Sequence, residues 1–169
     1  VEATDLPVMI YDIPGRTGVR ITDETLARLA EHERILAVKD ATGDVEQGFR
    51  RMEATGLEYY SGDDGLNFAW LAHGASGVVS VVAHADAHSW REMITEVDAG
   101  DLAGARAVAR RIRPLVQAIM GGGQGAVMAK EALLLQGRIP SAALRLPLVR
   151  AEADEVAALR AVLDASGLL

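Results

Sequence analysis

The sequence predicts an α/β protein in which helices cover a parallel sheet and a helical appendage follows. Three observations predict it. A strand, loop and helix unit recurs four times in the first half of the 169-residue chain. The strands are near-continuous apolar runs, as in parallel sheets packed under helices. From about Asp86 onward the apolar spacing is helical only. The predicted division is residues 1–85 for the sheet with its helices and 86–169 for the helical region.

The first unit opens with the branched, apolar run 7–13 (PVMIYDI), closed by Pro14-Gly15, which reads as a buried strand and a turn. Thr22 stands where an N-cap belongs, with Asp23 and Glu24 in the first turn and Leu26, Leu29 and Ala30 on one helix face. The second strand is 35–38 (ILAV), and Asp44 with Gln47 three residues on makes a capping-box-like start to a helix through about Ala54. The third strand, 57–60 (LEYY), leads through Ser61-Gly62-Asp63-Asp64 to a helix carrying Leu66, Phe68, Trp70 and Leu71, with the paired aspartates read as its N-cap. The fourth strand is 77–82 (GVVSVV). Amphipathic stretches at 102–120, 127–135 and 152–165 predict the later helices, with boundaries at Gly100-Asp101, Gly121-Gly122-Gly123 and 137–147. Pro114 is expected to kink the first of these or to mark a boundary. Val1 reads as the tail of a helix running straight into the first strand, which fits a truncated, cleaved or partially sequenced chain. Four units fit a small open sheet or half of a barrel, and spacing does not separate the two.

Hydrophobic residues make up 50% of the chain and charged residues 24%, enough for a globular core and unlike a disordered segment. A net charge of -7 without a basic cluster speaks against nucleic acid and anionic membranes, which both need a positive footprint. The absence of cysteine removes disulfides, thiolate chemistry and cysteine-ligated zinc. No apolar run approaches the roughly 18 residues of a membrane span and no leader is expected, so the expected compartment is the cytoplasm.

The chain has only two lysines against fifteen arginines, and one of the two, Lys39, closes the apolar run 35–38. An ammonium can give up its proton where a guanidinium cannot, and a partly desolvated amine is the nucleophile of Schiff-base chemistry. In a parallel α/β sheet the C-terminal strand ends share one mouth, so Tyr11, Arg16 and Lys39 can converge although 28 residues (39 − 11) separate the tyrosine from the lysine. A phenol can move the protons that carbinolamine formation and dehydration require, and an arginine can hold a carboxylate through paired hydrogen bonds. Taken singly, each residue has a plainer role: Lys39 as a solvated strand end, Tyr11 as a core aromatic, Arg16 as a turn residue. Their placement on adjacent strand ends favours the chemical role.

The segments Tyr11-Asp12-Ile13-Pro14-Gly15-Arg16-Thr17-Gly18 and Val38-Lys39-Asp40-Ala41-Thr42-Gly43-Asp44, with Ser61-Gly62-Asp63-Asp64 and Gly77-Val78-Val79-Ser80-Val81 behind them, resemble the C-terminal half of the dihydrodipicolinate synthase family. The resemblance extends over essentially the whole chain, including Ala129 to Gly137 (AKEALLLQG). It implies a (β/α)8 TIM barrel of which residues 1–85 hold strands five to eight, followed by the final barrel helix and the C-terminal helices. It further implies a Schiff-base lyase that condenses pyruvate with L-aspartate 4-semialdehyde to 4-hydroxy-tetrahydrodipicolinate in lysine and diaminopimelate biosynthesis, without a metal or organic cofactor. Carried over, Lys39 forms the imine with pyruvate, Tyr11 relays protons and Arg16 holds the carboxylate of aspartate semialdehyde. The backbone carbonyl of Val79 faces the keto acid, and Gly62 lines the second substrate's side. Arg16 separates this family from N-acetylneuraminate lyases and related sugar-acid aldolases, the alternative within the superfamily. Asp12 stands where asparagine is common, and Ala37 where glycine is common.

A complete barrel needs roughly 250 residues. The resemblance places a threonine pair of the proton relay, a tyrosine from a neighbouring subunit and a lysine-feedback site in the half this chain lacks, which also leaves open a non-catalytic remnant. Half a barrel has two unpaired edges and an uncovered inner face. The chain is therefore expected to pair with the missing N-terminal half or to self-associate, as a homo-oligomer.

Other motifs carry less. Gly121-Gly122-Gly123-Gln124-Gly125 lacks the Gly-Lys-Ser/Thr of a phosphate loop and reads as a linker. His84 and His88 could share a helical face with Asp86 between them, but no third ligand is in view and no metal is expected. Lys130 and the cluster Arg106, Arg110, Arg111 and Arg113 read as a surface or subunit-contact face.

Overall fold

The computed structural model describes residues 1, 3–122 and 124–169. Four parallel strands, β1 (Val8–Asp12), β2 (Ile35–Asp40), β3 (Glu58–Ser61) and β4 (Gly77–Val78), lie side by side in sequence order. A doubly wound sheet reverses its strand order at a switch point. No reversal occurs here, so the order is that of an arc of a barrel.

The chain divides into two compact units, residues 1–79 and 80–169. In the first unit, one face of the sheet buries Ile35, Val38, Leu57 and Tyr59 with Leu26, Trp70 and Ala75. The helices over that face are α2 (Asp23–Ala30), α3 (Val45–Thr55) and α4 (Asn67–Ala72), preceded by the single helical turn α1 (Pro14–Thr17). Trp70 is the centre of this core: Phe49 meets it edge-on at 5.2 Å and Tyr59 stacks on it at 5.8 Å. Gly48 on α3 is what lets the indole in, since a Cβ there would strike three of its ring carbons.

The expected caps of α2 and α3 are present. Thr22 Oγ1 accepts from the Thr25 amide at 3.2 Å and Asp44 Oδ1 from the Gln47 amide at 3.1 Å. Gln47 does not complete a capping box, because its Oε1 is taken by Arg20. α1 has Pro14 at its first turn and is closed by Gly18, whose φ of 74° is the left-handed conformation glycine adopts without strain.

Several expectations are corrected. The strand expected over 77–82 pairs only at Gly77–Val78. The Val79 amide still bonds the Ser61 carbonyl at 2.8 Å, but the Ser80 hydroxyl then accepts from the Ala83 amide, and the chain coils into a 3-10 turn at Val82–His84. Asp63 and Asp64 do not cap a helix. Asp63 Oδ1 accepts from the Gly65 amide at 2.9 Å and Asp64 Oδ1 from the Asn67 side chain at 3.2 Å, turn bonds that a carboxylate makes as readily as caps. The described residues before β1 form turns and bends, not the tail of a helix.

The second unit contains α5 (Ala87–Asp98), α6 (Leu102–Met120), α7 (Gly125–Leu135) and α8 (Ala153–Ala165). Residues 80–85, read from sequence with the sheet, group with these helices, because the 3-10 turn packs on α5, α6 and α7. Pro114 sits inside α6, which continues past it, so no boundary falls there. Ala105, Val108, Ile112, Leu115 and Ile119 form its buried stripe, alternating steps of three and four residues. Of the triglycine linker, Gly121 ends α6 and Gly123 lies outside the described residues. Glu131 is buried and held by Arg150 through two bonds of 2.8 Å. Arg111 pairs with Glu92, and Lys130 donates to the Ala143 carbonyl.

His84 lies in the 3-10 turn and His88 in α5, while Asp86 between them caps α5 through the Ser89 amide at 3.0 Å; the two histidines do not share a helix. Among the described residues no group of three or more metal-ligating side chains comes together, and no helix is long and apolar enough to cross a membrane.

Candidate active site

Lys39 owes its position to strand register. β1 and β2 pair Tyr11 with Lys39, and β2 and β3 pair Lys39 with Tyr60. Directly registered residues of parallel strands project to the same side, so the amine stands in a row between two phenols. Its Nζ lies 3.9 Å from the centroid of the Tyr11 ring, a cation–π geometry that holds the side chain over the strand. Tyr11 is 43% exposed and Lys39 half-buried, so the row is open to solvent within the first unit.

Gly62 completes the seat. Its amide donates to the Asp40 carbonyl at 2.7 Å, and a Cβ at this position would lie 2.8 Å from Lys39 Cε, 2.9 Å from Cγ and 3.0 Å from the Asp40 carbonyl oxygen. Glycine here leaves room for the lysine stem. At the next pair of strands Gly77 does the same for Tyr60, whose ring would come within 3.1 Å of a Cβ at 77. Val79 follows β4 directly and is tied to the Ser61 carbonyl through its amide. Arg16 lies in α1, just beyond the end of β1, and is exposed. Among the described residues its guanidinium makes no hydrogen bond or ion pair, with Tyr11 and Lys39 included. Of the residues singled out from sequence, the structure thus brings Tyr11, Lys39 and Gly62 into contact and leaves Arg16 at a loop tip and Val79 at a strand end.

Strand alternation puts a second set of residues on the opposite side. Asp12 and Asp40 are register partners, 3% and 2% exposed, each directly following Tyr11 or Lys39 in sequence. Burial pushes the Asp40 carboxyl above its ordinary range; the amide and hydroxyl of Thr42, which both bond its Oδ1, pull it back, and the nearby Asp12 charge raises it again. The compensating cation is Arg51 on α3, whose side chain is 6% exposed. Burial works against its charge, but its bond to Asp23 and the charges of Asp23 and Asp12 outweigh that and hold the guanidinium firmly protonated. Tyr59 beside this group is pushed up to about 12, first by burial and then by Asp40. Tyr60, Asp40 and Arg51 were not found by sequence reasoning. Tyr60 could have been, from its place in the strand after Lys39; which of several arginines is buried had no local signal.

Comparison with known proteins identifies the family and the fold. The Dihydrodipicolinate synthetase family matches residues 1–166. A protein of Kineococcus radiotolerans named 4-hydroxy-tetrahydrodipicolinate synthase is 53% identical over 167 residues, which cover 99% of this chain and 54% of that protein. The crystal structure of dihydrodipicolinate synthase from Thermotoga maritima superposes with a TM-score of 0.93 at 38% identity, covering 99% of this chain and 58% of that one. The chloride-inhibited enzyme from Acinetobacter baumannii, complexed with pyruvate, gives 0.92 at 34% identity, with 99% and 58% covered. The chain spans about half the length of the curated relatives it matches. Its sheet and helices are the half-barrel arc of that TIM-barrel family.

Proposed function

The chain belongs to the dihydrodipicolinate synthetase family, and from that membership and the Lys39 row we propose that it serves a lyase condensing pyruvate with L-aspartate 4-semialdehyde to 4-hydroxy-tetrahydrodipicolinate. The Lys39 amine adds to the keto carbon of pyruvate, and loss of water from the carbinolamine leaves an imine. Removal of a methyl proton gives an enamine, whose carbon attacks the aldehyde of the second substrate; the imine so restored is then attacked by that substrate's own amino group, which closes the ring and displaces the Lys39 amine. Tyr11, lying against Lys39, exchanges the protons of addition and dehydration. Arg16, which has no partner among the described residues, takes the carboxylate of the semialdehyde, and this favours that substrate over an aldehyde without a carboxylate, as against the N-acetylneuraminate lyase-like alternative.

The observation that carries the proposal is the seat of Lys39 between Tyr11 and Gly62. The pyruvate complex of the Acinetobacter baumannii relative supports the choice of keto acid. Met9 and Leu36 are exposed on the sheet in the first unit. We expect complementary strands to cover them, from the other half of a full-length protein or from a second copy, in a homo-oligomeric cytoplasmic enzyme using no metal or organic cofactor.

Incubation with pyruvate and borohydride, followed by peptide mass mapping, tests the proposal. The reduced adduct is expected on Lys39 and not on Lys130, the second lysine of the sequence. No adduct on Lys39, or equal labelling of both lysines, would sink it.

A further inference from the structure

Arg51 makes no bond to Tyr11, Lys39 or Arg16, yet the segments that flank Tyr11 and Arg16 converge on it. Its Nη1 lies 3.2 Å from Asp12 Oδ2, its Nη2 donates to the Ile21 carbonyl at 2.7 Å, and its Nε donates to Asp23 Oδ1 at 2.6 Å. Asp12 is the last residue of β1, directly after Tyr11. Ile21 and Asp23 are where the chain comes back to begin α2. Between them, residues 13–20 form an excursion that contains α1 and Arg16. Arg51 therefore closes the base of that excursion, and the Ile21 amide at 3.4 Å from Asp12 Oδ1 adds a weaker tie.

The excursion is held from within and from one further side. Thr17 Oγ1 lies 3.1 Å from the Ile13 carbonyl and 2.8 Å from the Val19 carbonyl, and the Gly18 amide bonds the Pro14 carbonyl at 2.9 Å. Arg20 on the outgoing limb reaches Gln47 and Asp44 at the start of α3, the helix that also carries Arg51. A short loop pinned to one helix at its base and on its outgoing limb, with an unpartnered guanidinium inside it, has the form of a mount for Arg16.

We propose that Arg51 is a positioning residue for Arg16: through Asp12, the Ile21 carbonyl and Asp23 it fixes where the Arg16 guanidinium meets the carboxylate of the second substrate. The identity of that substrate rests on the lyase reading above. The rival role is simple neutralisation of the buried Asp12 carboxylate, and the two roles separate in the double variant Arg51→Met with Asp12→Asn. That pair removes the Arg51–Asp12 ion pair as a whole and leaves the buried Asp40 carboxyl to its two Thr42 bonds, so it also guards against the misfolding that Arg51→Met alone invites by stranding Asp12. Neutralisation predicts that the double variant behaves as the parent; positioning predicts that it does not, because the ties to Ile21 and Asp23 are gone.

Hydrogen exchange on the intact chain reads the mount directly. The Arg16, Thr17 and Gly18 amides, bonded to the Ile13 and Pro14 carbonyls, are expected to exchange about tenfold faster in the double variant while those of Val38 and Lys39 keep their rates. In turnover, the KM for aspartate semialdehyde is expected to rise about tenfold with borohydride trapping of pyruvate at Lys39 within about twofold of the parent. Unchanged α1 exchange, or a loss of trapping in step with the rise in KM, overturns the proposal. A parent chain that traps no pyruvate at Lys39 overturns the lyase reading instead, and α1 exchange then decides the role of Arg51 alone.

Discussion

Gly62→Ala tests whether the Lys39 seat is as tight as it looks. The added methyl would sit 2.8 Å and 2.9 Å from two carbons of the lysine stem and 3.0 Å from the Asp40 carbonyl oxygen. The first two distances are well inside van der Waals contact, so the stem must move. The third is to backbone of β2, which is paired on both sides and has little freedom to give way. Overpacking of this kind costs about 1–3 kcal/mol. Gly62 is not in the left-handed region, so restriction of the unfolded chain returns about 0.4–1 kcal/mol. The net expectation is a loss of roughly 1–2 kcal/mol, or about 0.5–1 M in urea midpoint for a slope near 2 kcal/mol/M. The functional effect should be larger than the stability effect, because the clash falls on the Lys39 stem itself, and moving Cγ and Cε displaces the Nζ they carry from its seat against the Tyr11 ring. Borohydride trapping of pyruvate at Lys39, by peptide mass, should fall at least about tenfold under native conditions. Gly15→Ala is the matched control for stability: a Cβ at 15 meets nothing within 4 Å, and the residue lies in a helical turn where alanine is favoured. If Gly62→Ala kept both the urea midpoint and the trapping rate of the parent, the steric account of the Lys39 seat would be wrong.

Two further substitutions probe the face of the sheet behind the site. Gly48→Ala places a methyl against three carbons of the Trp70 ring, which is 1% exposed and confined by Phe49 and Tyr59; a loss near 3 kcal/mol is expected despite a helix-propensity gain of about 1 kcal/mol, and an unchanged urea midpoint would refute it. Asp40→Asn keeps an acceptor for both Thr42 bonds and removes a buried charge beside Asp12. The folded protein holds the Asp40 proton more tightly than the unfolded chain, so the stability that proton confers is present below its ordinary value of 3.8 and is lost as pH rises through the raised folded value. The asparagine variant carries no such dependence. Its Tm relative to the parent should climb as pH rises from 3.8 to the folded value and stay level above it; a difference that is flat with pH, or falls, contradicts the assignment.

The strands and helix starts were legible because their causes are local. Thr22 and Asp44 cap the helices they were read to cap, since a short polar side chain followed by an apolar face satisfies free amides at helix starts. The misread elements are those whose partner decides. Asp63 and Asp64 have the composition of a cap, but the chain needs them for a turn whose donors are the Gly65 amide and the Asn67 side chain. β4 ends at Val78 although apolar residues continue, because Ser80 supplies an acceptor that starts a 3-10 turn. The strand order was likewise beyond spacing, since pairing between strands is a non-local choice. In the site, Lys39 and Tyr11 could be found from residue type and strand ends. Tyr60 required the β2 to β3 register, and Arg51 required knowing which face of α3 meets β1.

The alternation that hid Arg51 also explains the division of labour between the two faces of the same strand ends. Residues 11 and 39 project to one side and residues 12 and 40 to the other, because successive side chains of a strand point oppositely. On the proposed lyase reading the Lys39 amine needs solvent access for a keto acid, whereas a loop anchor needs burial so that its ion pairs are not screened away. Adjacent positions in one strand meet both needs: the open face carries Tyr11 and Lys39, and the covered face carries the carboxylates that Arg51 and Thr42 engage. It follows that substitutions at 12 and 40 should act on the reaction through backbone position at 11 and 39 and through the loop after 12, and not through contact with substrate. A change at either carboxylate that altered KM for pyruvate without altering α1 exchange or folded stability would contradict that division.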